Sequence, residues 1–261
     1  MNTKIVVAGP RGKMGAEAIK MITNEPDFQL VACIDRKTAE NGVDAHSHLN
    51  VPSFEDAEEC FTEIETDIFV DLTVPDVGYV HTKAALEQNI RPVIGTTGFT
   101  DEQLNELSTL AWEKKIGCII APNFAIGAVL MMKFSKMAAK YFSDVDIIEK
   151  HHDNKLDAPS GSAIKTAELI KDRRTSKKQG HPNEKEVLPG ARGADFDGMK
   201  IHSVRLPGLV AHQEVLFGSP GQTLSIKHDS YNRDSFMEGI KLSIKEVQNL
   251  EELVYGLENI L

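Results

Sequence analysis

The chain is poor in cysteine and in positive charge, and it lacks long apolar runs. Its three cysteines form no Cys-x-x-Cys pair, so neither a zinc ribbon nor a dithiol redox site is supported. No apolar stretch reaches the ~20 residues needed to cross a bilayer, and no signal peptide precedes the first strand-like run. We therefore expect a cytoplasmic protein that does not enter membranes. A net charge of −10 argues against nucleic acid as a partner, because nucleic-acid binding needs a basic face.

In the first half of the chain, short β-rich runs alternate with amphipathic segments. Strands are predicted at residues 4–9, 30–35, 68–73, 92–97 and 117–121, and helices at residues 14–24, 77–89 and 101–115. This alternation is typical of a parallel sheet with crossover helices on its faces. Cys33 and Cys118 lie within these strands, where we expect buried, unreactive thiols. The first half therefore predicts an α/β domain.

The pattern changes after about residue 124, where strands and helices no longer alternate regularly. Helices are predicted at 127–141 and 163–173, strands at 146–149, 200–206, 211–217 and 223–227, an irregular loop at 175–200 and a helical region at 233–261. The turn Ser219-Pro220-Gly221-Gln222 joins the last two strands and predicts antiparallel pairing. We therefore predict a first domain of residues 1–123 and 241–261, and a second, α+β domain of residues 124–240 with an open mixed sheet.

A glycine-rich turn, Gly9-Pro10-Arg11-Gly12-Lys13-Met14-Gly15, follows the first predicted strand and opens the first helix. The glycines are spaced three and three apart, unlike the better-known G-x-G-x-x-G pattern, but each has the same physical purpose. Gly9 permits the tight turn, Gly12 lets the backbone approach a pyrophosphate, and Gly15 lets the helix pack closely on the strand. The helix N-terminus adds amide donors and partial positive charge. The turn predicts dinucleotide binding, although a plain strand-to-helix turn has the same composition.

Residues at three further strand ends support the dinucleotide prediction. Asp35 ends the second strand, where an acidic side chain meets the adenine ribose hydroxyls, and the following Arg36 and Lys37 could hold the 2′-phosphate of NADPH. The turns Gly95-Thr96-Thr97-Gly98 and Ala121-Pro122-Asn123-Phe124 end the fourth and fifth strands. Ligands bind at these carboxyl ends in open α/β sheets. NADPH and NADH both remain open as the cofactor.

The segment Glu149-Lys150-His151-His152-Asp153-Asn154-Lys155 places two imidazoles and an ammonium within five residues. If the strand continues through them, His151 and His152 point to opposite faces and serve different purposes. Imidazole titrates near neutrality and suits acid–base catalysis. Ser160-Gly161-Ser162 then opens a helix, whose hydroxyls and amides form a second anion-binding group. The pattern predicts a site that both holds and protonates a small dianionic substrate.

Two other interpretations of this segment stay open from the residues alone. It could be a solvated surface loop whose histidines have no role. A metal site has less support, because neighbouring histidines rarely bind one ion and no carboxylate or third histidine stands at H-E-x-x-H spacing. We therefore predict no metal.

Taken together, these motifs resemble the 4-hydroxy-tetrahydrodipicolinate reductase (dihydrodipicolinate reductase) family, and the resemblance runs nearly end to end. It rests on Val7-Ala8-Gly9 with Gly12-Lys13-Met14-Gly15, on Val93-Ile94-Gly95-Thr96-Thr97-Gly98-Phe99, on Ala121-Pro122-Asn123-Phe124, and on His151-His152 with Lys155 and Asp157-Ala158-Pro159-Ser160-Gly161. The last group is the most specific to the family.

The resemblance implies a Rossmann-type domain that binds NADPH or NADH, and a second domain that builds the substrate site and a homotetramer. It also implies that a C-terminal helix returns to the first domain. The implied activity is reduction of 4-hydroxy-tetrahydrodipicolinate, with loss of water, in the diaminopimelate and lysine pathway.

The resemblance also implies roles for single residues. His151 would be the principal acid–base residue and Lys155 the assisting proton donor, while His152, Gly161 and Ser162 would bind a substrate carboxylate. The dinucleotide would contact Gly9 to Met14, Asp35, Gly95 to Thr97, and Ala121 to Phe124. The chain has Ser162 where the family usually has Thr, which keeps the hydroxyl. It has Asp35 where some members have Glu, which leaves the preference between NADH and NADPH open.

Three competing functions can be separated from the reductase. A semialdehyde-type dehydrogenase needs a nucleophilic cysteine in a polar site, which none of the cysteines offers. A Schiff-base lyase acting through Lys155 would leave the glycine-rich turn without a purpose. A regulator that senses dinucleotide would bind the cofactor without oxidising it when substrate is supplied.

Overall fold

The computed structural model describes residues 2–37, 39–40, 43–44 and 46–261 and divides them into two compact units. The first unit contains the described residues up to Ile126 together with Arg233–Leu261, and the second contains Gly127–Asn232. These boundaries differ from the predicted ones, because residues 124–126 and 233–240 belong to the first unit. The second unit is thus inserted between two parts of the first.

The strands and helices of the chain follow in sequence order. Up to the insertion they are β1 (Thr3–Ala8), α1 (Lys13–Asn24), β2 (Phe28–Ile34), β3 (Ala39–Glu40), β4 (Val43–Asp44), β5 (Ser53–Phe54), α2 (Ala57–Glu63), β6 (Ile68–Asp71), α3 (Pro75–Glu87), β7 (Arg91–Ile94), α4 (Asp101–Lys114) and β8 (Cys118–Ile120). After it begins they are α5 (Ile126–Ala138), β9 (Asp144–His151), α6 (Gly161–Lys171), β10 (Ala194–Phe196), β11 (Met199–Arg205), β12 (Ala211–Ser219), β13 (Gln222–Ser230), α7 (Asp234–Glu246) and β14 (Leu253–Tyr255). Short 3-10 turns lie at Ser47–Leu49, Val247–Asn249 and Leu257–Asn259.

The first unit is built on a sheet of seven strands in its described residues, in the order β14-β8-β7-β6-β1-β2-β5, and every pair is parallel. Its central strands are buried on both faces, as parallel strands usually are. Val6 and Ala8 pack in a cluster with α2, α3 and α4. Ile5 and Val7, whose side chains point to the opposite face of β1, are also fully buried. Helix α1 contacts β1 and α7 contacts both α1 and β7, so these two helices cover that face of the sheet.

The C-terminal segment completes the first unit. Helix α7 belongs to this unit and contacts α1, and Lys241 of α7 pairs with Glu25 at the end of α1. The prediction of a wholly helical region at 233–261 is wrong, because β14 pairs parallel with β8 at the edge of the sheet. Leu253-Val254-Tyr255 has the branched and aromatic side chains that strands favour.

The second unit is built on a mixed sheet of five strands in the order β10-β11-β9-β12-β13. Strand β9 is parallel to β11 and antiparallel to β12, and β12 and β13 form the predicted antiparallel pair. The predicted loop at 175–200 contains the short strand β10, which the sequence analysis missed. A parallel-sheet unit of Rossmann type with a second, mixed-sheet unit confirms the predicted fold class. None of the helices in the described part of the chain is long and apolar enough to span a membrane.

Candidate active site

In the first unit, the glycine-rich turn joins β1 to α1, and its residues 11–13 are exposed. Gly9 has a φ of +83°, a conformation that favours glycine, and the Gly12 amide donates to the Gly9 carbonyl at 3.0 Å. A Cβ on Gly15 would lie 2.0 Å from the Gly9 oxygen, so only glycine lets the helix start this close to the strand. Because Gly12 is the N-cap, no side chain caps α1. A helix N-terminus without a side-chain cap fits the pyrophosphate of a dinucleotide.

Asp35, directly after β2, lies against the same turn. Arg11 binds its carboxylate through two nitrogens, at 2.6 and 2.5 Å, and the Lys37 amide donates at 3.2 Å. The His46 ring lies 3.3 Å away. Burial alone would raise the pKa of Asp35, but Arg11 and the Lys37 amide hold it below its usual value. Asp35 is therefore an ionised acceptor suited to ribose hydroxyls, with the exposed Arg36 beside it.

The ends of β6, β7 and β8 form a second group in the first unit. A Cβ on Gly95 would lie 3.0 Å from the Phe124 ring, so the predicted turns 95–98 and 121–124 are neighbours. Thr96 is buried, whereas Thr97 and Pro122 are exposed. The structure therefore brings these predicted residues together at the carboxyl ends of the strands.

Asp71, at the end of β6, contacts several residues at these strand ends. The sequence did not single it out. Its fully buried carboxylate accepts from the Thr73 amide and hydroxyl at 2.8 and 2.5 Å, and from the Thr96 hydroxyl at 3.2 Å. The Nδ1 atom of His81 lies 2.9 Å away. The one signal in the sequence was an aspartate that ends a fully apolar strand.

In the second unit, His151 ends β9 and contacts a buried carboxylate. Its Nδ1 atom lies 2.5 Å from Glu149, which shares a face of the strand with the buried Val145 and Ile147. Burial lowers the pKa of His151 and outweighs the opposing effect of Glu149. A histidine held this way keeps its Nε2 atom for proton transfer.

Arg205 links Glu149 to the loop after β9. It donates twice to the carboxylate, each time at 2.8 Å, and once to the Asp157 carbonyl at 2.7 Å. Burial would raise the pKa of Glu149, but hydrogen bonds from Arg205, Ser203 and His151 keep it below its usual value. Arg205 lies 56 residues from Glu149 in sequence, so no local pattern could reveal the pair.

The remaining predicted residues of the second unit lie in the loop after β9 and at the start of α6. The Lys155 amide donates to the His152 carbonyl at 3.2 Å, and the Lys155 ammonium bonds Asp157 at 2.6 Å. The Ser160 hydroxyl caps α6 by accepting from the Ala163 amide, and the Ser160 amide donates to Glu149 at 3.3 Å. His152 and Gly161 are exposed and Ser162 is half-buried, so the helix N-terminus is open to a carboxylate.

Cysteine chemistry and metal binding find no support in the described residues. All three cysteines are buried and none forms a disulfide, and burial raises the pKa of the Cys60 thiol to about 12. A thiol nucleophile needs the opposite shift, which disfavours the semialdehyde-type alternative. Within the described ranges, no three His, Cys, Asp or Glu side chains are grouped so as to hold a metal ion.

A Rossmann-type unit with an open glycine-rich turn, and a second unit with a carboxylate-bound histidine beside an open helix N-terminus, define a nicotinamide-nucleotide-dependent oxidoreductase. Residues 3–124 match the pattern for the dihydrodipicolinate reductase N-terminus, and residues 127–261 match the pattern for the dihydrodipicolinate reductase C-terminus. The chain belongs to the dihydrodipicolinate reductase family, as the resemblance predicted.

Individual relatives are similar over their whole length. A 4-hydroxy-tetrahydrodipicolinate reductase from Oceanobacillus iheyensis is 65% identical over 267 residues, which cover 100% of both chains. The protein of that name from Bacillus pumilus is 59% identical over 99% of this chain and 97% of its own. The solved structure of dipicolinate-bound dihydrodipicolinate reductase from Paenisporosarcina sp. TG-14 is 56% identical, with a TM-score of 0.94 and 100% of both chains covered.

Proposed function

We propose that the chain reduces 4-hydroxy-tetrahydrodipicolinate to tetrahydrodipicolinate, with release of water, in the diaminopimelate and lysine pathway. The observation that carries the proposal is the pairing of His151 with Glu149 at 2.5 Å, next to the open N-terminus of α6. Similarity to the named reductases supports it. The Paenisporosarcina protein binds dipicolinate, a small dicarboxylate that resembles the proposed substrate in charge.

The second unit would hold the substrate by its carboxylates. Gly161 and Ser162 offer their amides and the Ser162 hydroxyl at the start of α6, whose dipole favours an anion. The Ser160 hydroxyl accepts from the Ala163 amide but keeps its own proton to donate to a carboxylate. His152 adds a further donor from the exposed loop. Two groups of anion-binding residues suit a dianion better than a neutral sugar or alcohol.

His151 and Lys155 would supply the proton. Loss of water from the 4-hydroxy ring gives a conjugated cyclic imine, and addition of a hydride to it leaves negative charge to be neutralised. His151 holds its Nδ1 proton towards Glu149, so Nε2 is the atom that delivers a proton. Lys155 is the assisting donor, and its ammonium is held at 2.6 Å by Asp157.

The first unit would hold NADH or NADPH, which supplies the hydride. The turn from Gly9 to Met14 would bind the pyrophosphate, and residues Gly95 to Thr97 and Ala121 to Phe124 would line the nicotinamide end. Asp35 would accept from the ribose hydroxyls of NADH. With NADPH, Arg11 would turn from Asp35 to the 2′-phosphate, together with Arg36 and Lys37. We therefore propose that both nucleotides are used.

We further propose a homotetramer that assembles through the second unit and works in the cytoplasm. Strand β13 is an edge of the mixed sheet, and its residues Gln222 to Ser225 are exposed, which leaves a strand available for pairing. Three cysteines that form no disulfide are compatible with a reducing compartment. Sedimentation analysis of the purified protein tests the tetramer directly.

The test of the proposed activity couples the upstream synthase, which makes the 4-hydroxy substrate, to this protein and follows nucleotide oxidation by absorbance. We expect oxidation of NADH and NADPH only when substrate is formed. Nucleotide binding without oxidation would identify a regulator instead. Trapping of a keto acid by borohydride on Lys155 would identify a Schiff-base lyase.

Replacement of the proposed acid–base residue gives the first mutational prediction. His151→Gln should lower kcat about 10²- to 10⁴-fold, the usual range for general acid–base groups, while the Kd for NADPH changes little. His202→Gln is the matched control, because His202 also lies in the mixed sheet but is bound to Asp146. A parallel loss of NADPH binding in His151→Gln would contradict the assigned role.

A further inference from the structure

Glu149 is a charged residue in a core position. The alternation of β9 puts it on the same face as Val145 and Ile147, and it is 0% exposed. A carboxylate so placed is costly unless several donors bind it. Its partners are hydrogen-bond donors, as expected for an ionised carboxylate, so Glu149 keeps its negative charge although it is buried.

The partners of Glu149 come from three separate parts of the unit. His151 lies on the same strand, Arg205 ends the neighbouring strand β11, and the Ser160 amide stands at the N-cap of α6. In the parallel register, Arg205 is directly opposite His151 and Ser203 is opposite Glu149. Glu149 therefore joins His151, Arg205 and the N-terminus of α6, where a substrate carboxylate is proposed to bind, in one hydrogen-bond network.

The charges around His151 have opposite signs. Glu149 on β9 favours the imidazolium, while Arg205 on β11 and Lys155 in the following loop disfavour it. Asp157 in that loop is bound by Lys155 and, through its carbonyl, by Arg205. On the other side, β12 places the uncharged Ala211 opposite His151 and Gln213 opposite Glu149.

We propose that Glu149 and Arg205 act as a pair of positioning residues, in which Glu149 fixes the tautomer of His151 and Arg205 offsets the charge of Glu149. The pair then sets the pH at which His151 releases its proton. This inference rests on the acid–base role proposed for His151. Arg205 acts in the same direction as the burial of His151, because both oppose the effect of Glu149 and ease release of the proton.

The two members of the pair have opposite predicted effects. Glu149→Gln keeps an oxygen acceptor for Nδ1 but removes the negative charge, so the imidazolium is less favoured and the pKa of His151 falls. Arg205→Met leaves the negative charge without compensation, so a proton is held more firmly by the Glu149–His151 pair, whichever of the two carries it. A change that only loosens the site would not shift the titration in opposite directions.

The experiment measures the titration of the His151 ring by NMR on histidine-labelled protein, with His151→Gln used to assign the signal. We expect the pKa to fall by about one unit in Glu149→Gln and to rise by about one unit in Arg205→Met, as charge partners at this distance usually cause. The double variant should return close to the wild-type value. The alkaline limb of the pH profile of kcat/KM should follow the same order.

Arg205→Lys is the matched control, because it keeps the charge but loses the two-nitrogen contact. Its His151 titration should stay close to wild type. Shifts in the same direction for Glu149→Gln and Arg205→Met, or no shift in either, would overturn the proposal. If Glu149→Gln does not fold, Arg205→Met and the double variant still decide. Full turnover in His151→Gln would instead overturn the proposed role of His151, and the NMR result would be unaffected.

Discussion

Two ionised carboxylates, Asp35 and Glu149, are almost completely buried, and each is held by two nitrogens of an arginine. Each stands at or near the end of a strand, beside a helix N-terminus that would take a ligand. The sequence pattern does not show which arginine binds each carboxylate. Arg205 is distant from Glu149 in sequence, and Arg11 lies in a turn. Asp35 was predicted because it ends a strand at a recognised distance from a glycine turn. Glu149 was placed in a predicted strand but given no role, because its partner Arg205 lies 56 residues away in sequence.

Replacement of Asp35 should change the choice of nucleotide. Asp35→Asn loses the charged acceptor for the ribose hydroxyls and removes a negative charge from the place where a 2′-phosphate would lie. We expect kcat/KM for NADH, relative to that for NADPH, to fall about tenfold, which corresponds to one charge-assisted hydrogen bond.

The control for this prediction is Asp27→Asn, at the opposite end of β2, where the aspartate is exposed. Its kinetic constants for both nucleotides should match wild type. An unchanged ratio of the two constants in Asp35→Asn would mean that Asp35 does not contact the ribose.

Among the elements, most strands and helices of the first unit were predicted, and some short ones were missed. The strands that became β1, β2 and β6 and the helices α1 and α4 were predicted within a few residues. The seven-residue helix α2 and the three-residue strand β14 were missed, because too few residues carry their pattern. Strand β14 exists through its pairing with β8, which is a contact distant in sequence.

Glycines in the first turns of α1 and α6 should respond differently to the same substitution. A Cβ on Gly15 would lie 2.0 Å from the backbone oxygen of Gly9, and backbone cannot move aside without displacing the strand. Gly15→Ala should therefore destabilise the first unit by about 3 kcal/mol and weaken dinucleotide binding. Urea unfolding and nucleotide titration measure the two effects.

Gly161→Ala serves as the comparison, because nothing lies within 4 Å of a Cβ built there. Its stability should equal or slightly exceed that of wild type, since alanine is the better helix former. Equal destabilisation by the two substitutions would show that close packing at Gly15 is not the cause.

At the scale of the whole molecule, partly buried histidines should make stability depend on pH near neutrality. Burial lowers the pKa of His228 and of His151, both in the second unit. The unfolded chain binds protons at these sites near the ordinary value of 6.5, whereas the folded chain does so only at lower pH. Stability from these groups is therefore present above that value and is lost as pH falls below it. The carboxylates Asp35 and Glu149, whose pKa values are lowered, lose their contribution only at more acidic pH.

Substitution of His228, which lies outside the proposed site, tests this dependence. The melting temperature of wild type, followed by circular dichroism, should fall between pH 7 and pH 5. In His228→Gln the fall should be smaller, because one of the partly buried groups that resist protonation is gone. An identical fall in both proteins would exclude His228 as a source of the pH dependence.

The insertion of one unit into the other has a consequence for synthesis. Residues 127–232 leave the ribosome before residues 233–261, so the second unit can complete its sheet while the first still lacks α7 and β14. The nucleotide-binding unit, although it begins at the start of the chain, is the last to be finished. Its open sheet edge at β8 and the uncovered surface of α1 stay exposed on the nascent chain until residues 233–261 have emerged.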